Sequence, residues 1–140
     1  MNRTTSDISS RRLLGSAAVA GLAAVAVNAA IYAASRAADV DFVARQAASG
    51  PDHIRLIHVV QLTVMAFAVG TVAALIVNRM RRTSLYSLLV LGTVIAVAST
   101  AMDVSIDSTV SAKLLLASMH IVTGVAYVVA LRTAGVHRSN

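Results

Sequence analysis

Few residues in this chain can do chemistry, and those that can recur in one setting. His58, His120, Asn28, Gln61, Ser99 and Thr123 lie inside long apolar runs, and Asp103 sits at the edge of one. Polar and ionisable side chains in such runs are costly to keep in hydrocarbon, so they face a bundle interior or a cavity. A histidine in an apolar pocket has its charged form disfavoured and can stand neutral as a base. A carboxylate beside it orients the ring or acts as an acid. His120 with Asp103, assisted by His58, is therefore the expected catalytic set; Asn28, Gln61, Ser99 and Thr123 are the expected substrate-binding groups. The chemistry would be proton shuffling on a lipophilic small molecule, by isomerisation, cyclisation or epoxide opening. No motif specifies which.

Each of these residues also has a plainer role. Asn28 and Gln61 can bond a neighbouring helix. His58 can reach water from near the interface, and Asp103 and Asp107 can be loop acids or caps. With those roles the protein is an accessory or scaffold subunit of a membrane complex. A further reading makes His58 and His120 two axial ligands of a haem or metal. No cofactor is expected, because aromatic packing is scarce: three Tyr, two Phe and no Trp. The absence of cysteine excludes disulfides, cysteine–zinc sites and dithiol redox chemistry. The broken helices and inverted repeats of many transporters are not evident.

The elements that must hold these residues are membrane spans. Hydrophobic residues make up 57% of the 140 residues and charged ones 13%, against ~45–50% and ~25% in soluble domains. Apolar runs extend over 13–34, 54–77, 85–102 and 114–131, and their one charged residue is Arg55, second in its run. A helix needs ~20 residues to cross the hydrocarbon, and the runs lack the alternation of barrel strands. The fold class is all-α: a polytopic membrane four-helix bundle forming a single domain. A twin-arginine signal is the rival reading of Arg11-Arg12 and the run after it, but that run exceeds the ~7–15 residues of a signal core, so a retained first helix is expected.

Eight basic residues (Arg3, Arg11, Arg12, Arg79, Arg81, Arg82, Arg132, Arg138) fall on one side of the spans and four (Arg36, Arg45, Arg55, Lys113) on the other. The positive-inside rule puts the first side, with both termini, in the cytoplasm, as expected of a multi-pass protein of the cell membrane. The net charge of +6 is accounted for by this topology. Nucleic acid is not an expected partner, since no basic stripe with stacking aromatics is present. The expected partners are membrane lipid, a lipophilic small molecule, and a second copy or another membrane subunit.

In the outer loop 35–53, Val40, Val43, Ala44 and Ala47 recur at helical spacing and predict a short interfacial helix. Pro51 then suits the first turn of span two. Asp107, Ser108 or Ser111 can cap span four. Ala66, Gly70 and Ala74, and Gly92 with Ala96, form ridges that allow close helix approach. At ~1.5 Å per residue the polar groups fall within roughly 10–12 Å of the outer boundary. The expectation is a polar pocket in the outer leaflet above an apolar plug.

The stretch Ser118-Met119-His120-Ile121-Val122-Thr123-Gly124, with Asn28 late in span one and the short arginine-rich inner loop, resembles a family of uncharacterised small four-helix membrane proteins of high-GC bacteria. The likeness runs along most of the chain. It implies the fold and no particular activity.

Overall fold

The computed structural model describes residues 10–40, 43–46, 50–80, 90, 92–94 and 109–135. Three long helices dominate: α1 (Ser10–Ala37), α2 (Leu56–Met80) and α3 (Val110–Thr133). Among the described residues these three are long and apolar enough to cross a membrane. α1 and α3 extend their apolar runs at both ends and α2 extends its run at the C-terminal end, because flanking polar and basic residues continue the helix at headgroup depth. Of the third predicted span, Val90 and residues 92–94 are described, and they are helical.

The distribution of side chains is that of a protein in lipid. Val19 (71% exposed), Leu22 (72%), Leu62 (65%), Val69 (66%) and Leu114 (66%) point outward. Small residues fill the interior: Ala17, Ala24, Ala74, Ala112 and Ala130 are buried. A soluble protein rarely exposes contiguous apolar surface on this scale. In lipid, outward leucine costs nothing, and small residues inside let the backbones approach.

Two apolar clusters fix how the helices run. Leu13, Ala74, Leu131 and Ala134 pack at one end, with Leu75 and Tyr127 against them. Val59, Ala112 and Met119 pack at the other, with Ile31, Tyr32, Val40, Ile54, Leu115 and Leu116. The start of α1 therefore meets the ends of α2 and α3, so α2 and α3 run parallel to each other and antiparallel to α1. The α1 helix packs along both; α2 and α3 touch each other less. Ser10 and Thr133 lie at the same end.

The segment after α1 departs from the helical expectation. At the close of α1, Asp39 takes the left-handed conformation (φ 55°), and the Val40 N–H returns to the Ser35 carbonyl (3.0 Å), a Schellman-type stop. The chain then forms an antiparallel hairpin of β1 (Val43–Gln46) and β2 (Gly50–His53), with Arg45 opposite Pro51. No interfacial helix forms across 43–46, and Pro51 lies in a strand rather than in the first turn of α2. An eight-residue helix is marginal by itself, whereas proline is accepted in an edge strand. The Tyr32 hydroxyl donates to the Ile54 carbonyl (3.0 Å) and ties the base of this hairpin to α1.

At the start of α3 the cap is Thr109, whose side chain accepts from the Ala112 N–H (3.2 Å). Ser111 is inside the helix and does not cap it; Asp107 and Ser108 lie outside the described residues.

Candidate functional site

Asn28 is one of the three largest fully buried side chains described, with Leu13 and Leu131. It sits on the face of α1 that also buries Leu13, Ala17, Ala24 and Ser35, a spacing of four and seven that keeps one side of the helix inward. Its Nδ2 donates to Thr63 Oγ1 on α2 (3.1 Å) and to Thr123 Oγ1 on α3 (3.0 Å). Each threonine hydroxyl donates in turn to its own helix: Thr63 to the Val59 carbonyl and Thr123 to the Met119 carbonyl, both at 2.8 Å. One amide thus joins all three long helices.

The node leaves one atom over. Asn28 Oδ1 is buried and meets no donor among the described residues. Turning the amide over would not satisfy it, because both threonine protons are already committed to main-chain carbonyls. The turned amide would also bury two N–H groups against no acceptor. A buried acceptor without a donor costs about 1–3 kcal/mol.

Below the node, toward the Leu13 end, Tyr127 fills the space between helices. Its hydroxyl donates to the Gly70 carbonyl (2.8 Å). Its ring lies edge-on to Phe67, with centroids 6.1 Å apart and planes at 77°. A Cβ at Gly70 would come within 2.7 Å of the Tyr127 ring, and one at Gly92 within 3.0 Å. Gly21 makes the same allowance for Phe67, at 3.2 Å. The glycines of the two predicted ridges are therefore seats for one aromatic ring. Ala74 joins the apolar cluster beside it, while Ala66 faces outward.

The other predicted site residues are not brought to this node. His58 is half-buried at the start of α2, and its Nδ1 accepts from the Arg55 N–H (3.4 Å), at the outer limit of such a bond. The Arg55 carbonyl receives the His58 and Val59 N–H groups, so His58 reaches back to the helix start as a glutamate does in a capping box. Gln61 is exposed, turned about 160° from the Val59–Thr63–Phe67 face by two residues of helix. His120 is half-buried, with Nδ1 3.1 Å from the Leu116 carbonyl of its own helix. Ser99 and Asp103 lie outside the described residues. Of the seven, Asn28 and Thr123 meet directly.

Sequence reasoning missed Thr63 and Tyr127. Thr63 lies at four-residue spacing in Val59, Thr63, Phe67 and Thr71, the buried stripe of α2, but in an all-apolar run nothing in the sequence marks that stripe as the inward one. The expected layering also changes: an apolar cluster around Val59 and Met119 lies on the hairpin side of the node.

Three long apolar helices with small-residue interiors and a buried amide between them define a helical membrane protein. The chain belongs to a family of unknown function, DUF6069, whose model matches residues 8–137. No curated protein and no solved structure matches it.

Proposed function

We propose that this is a four-span protein of the cell membrane that binds a lipophilic small molecule through a hydrogen-bond donor placed at Asn28 Oδ1. The observation that carries the reading is that buried oxygen, whose own amide is pinned by Thr63 and Thr123. A hydroxyl or N–H arriving there removes the cost of an unmet acceptor, and the apolar surroundings accept an aliphatic remainder. The fourth span is supported by the parallel course of α2 and α3. The chain leaves α2 at the Leu13 end and enters α3 at the other, so residues 81–109 have to regain the length of the bundle. The cytoplasmic placement of the Leu13 end rests on the eight arginines assigned to that side.

Acid–base conversion of the bound molecule would fall to His120, one helical turn from Thr123, with Asp103. A second reading, a non-catalytic subunit of a membrane complex, is favoured by a specific observation. The Nδ1 atoms of His58 and His120 both lie against nearby main-chain groups, the Arg55 N–H and the Leu116 carbonyl, contacts that shape a helix without chemistry.

The test uses a long-chain alcohol carrying a photoreactive diazirine and the methyl ether of the same molecule, each applied to the protein in nanodiscs. Crosslinking to α1–α3 is expected to favour the alcohol by roughly tenfold, the equivalent of about 1.4 kcal/mol for one hydrogen bond. Asn28→Leu should remove that preference. Equal labelling of the unsubstituted protein by alcohol and ether contradicts the proposal and leaves the subunit reading.

A further inference from the structure

The Leu13 end of the bundle gathers positive charge without a matching acid. Arg11 and Arg12 lie in the first turn of α1, Arg79 in the last turn of α2 and Arg132 in the last turn of α3, and all four are exposed. These helix ends are held together by the cluster of Leu13, Ala74, Leu131 and Ala134 immediately beneath them. The helix ends that carry the four arginines are therefore gathered around one small apolar base. The acids within the described residues, Asp39 and Asp52, belong to the opposite end. In the sequence, Arg81 and Arg82 follow α2 directly, Arg3 precedes α1 and Arg138 follows α3, against the single acid Asp7.

The residue type adds information beyond the charge. All eight basic residues assigned to this end are arginine, and the chain's one lysine, Lys113, lies at the other end. An ammonium would satisfy the charge rule for topology equally well. A guanidinium presents a planar fork of donors that matches two oxygens of a phosphate, and it is less strongly hydrated than an ammonium. At the opposite end basic and acidic residues are mixed, and Arg36 and Lys113 there already engage other groups.

We propose that this end is an anionic-phospholipid site. Arg11, Arg12, Arg79 and Arg132 would share headgroup phosphates, and the lipid would draw together three helix ends that otherwise repel one another. The source is the bilayer itself: the arginines begin where the apolar cluster stops, at the depth of lipid phosphates rather than out in solution. The site is independent of Asn28, so the two proposals stand or fall separately.

The experiment compares thermal unfolding in nanodiscs of phosphatidylglycerol and of phosphatidylcholine. Phosphatidylglycerol should raise Tm by roughly 4 °C or more for a chain of this size, and raised salt should erode the gain. Exchanging all four arginines for glutamine should remove most of the gain, and Tm in phosphatidylcholine should stay the same or rise slightly, since the side chains are exposed and their mutual repulsion is gone. Exchanging the same four for lysine should keep part of it. Arg36→Gln with Arg55→Gln, at the other end, should keep all of it. Should the glutamine variant fail to fold, a second readout decides: the ratio of phosphatidylglycerol to phosphatidylcholine that co-purifies with the lysine variant should fall below that of the native chain. Equal Tm in the two lipids overturns the proposal. So does a full gain in the glutamine variant, an unchanged lipid ratio in the lysine variant, or an equal gain from millimolar inorganic phosphate in phosphatidylcholine discs.

Discussion

Asn28 is where the chain departs most from an all-apolar bundle, and its energetics set two effects against each other. Its two interhelical hydrogen bonds are worth about 0.6 kcal/mol each by the average for membrane proteins. Its unmet Oδ1 costs about 1–3 kcal/mol. The cost equals or exceeds the gain, so Asn28→Leu is expected to leave stability unchanged or to raise it by up to about 2 kcal/mol in lipid without added small molecule. Thr63→Val should be worse tolerated, because it leaves an Asn28 N–H buried without an acceptor. Unfolding in a denaturing-detergent titration would separate them; a loss of several kcal/mol for Asn28→Leu with none for Thr63→Val would contradict this ledger. The sequence made Asn28 legible, because amides are rare in apolar runs. It could not distinguish Thr63 from the other threonines or turn Gln61 outward, since lipid and bundle interior are equally apolar and hydrophobic period does not mark the buried face.

The helices depend on small residues placed opposite one aromatic ring. The Tyr127 ring is held between Gly70 and Gly92 and meets Phe67 edge-on, so it cannot yield toward any of the three without a clash. Gly70→Ala should therefore destabilise the bundle by about 1–3 kcal/mol, the usual cost of overpacking, exceeding the ~1 kcal/mol that alanine gains in helix propensity. Gly15→Ala is the control: nothing lies within 4 Å of its Cβ position, so the propensity term stands alone and the change should be neutral or stabilising. If the two variants have the same effect in the detergent titration, the ring is not clamped as described. Tyr127→Phe should cost less than Gly70→Ala, since it removes one hydrogen bond and leaves the packing. At this scale the helices were legible from run length alone. The hairpin was not, because four apolar residues at helical spacing suggested a helix, and one that short is too marginal to stand by itself.

For the whole molecule the separation of charge is the most legible property of the sequence, and the two clusters that join helix ends agree with it. Leu13 packs with Leu131, so the ends of α1 and α3 nearest the termini lie together, as an even number of crossings requires. A single polar layer was the expectation from the sequence; which polar groups meet depends on helix rotation, which run length does not determine, and among the described residues Asn28, Thr63 and Thr123 do so. The proposed topology crosses the membrane four times with the arginine-rich end in the cytoplasm. The absence of cysteine makes it directly testable. Single substitutions Ala38→Cys, Ser84→Cys and Asp107→Cys would be labelled in intact cells with a membrane-impermeant maleimide. Labelling at positions 38 and 107 from outside, and at 84 only after permeabilisation, is the predicted result. Labelling at 84 from outside, or at 84 and 107 from the same side, would contradict it.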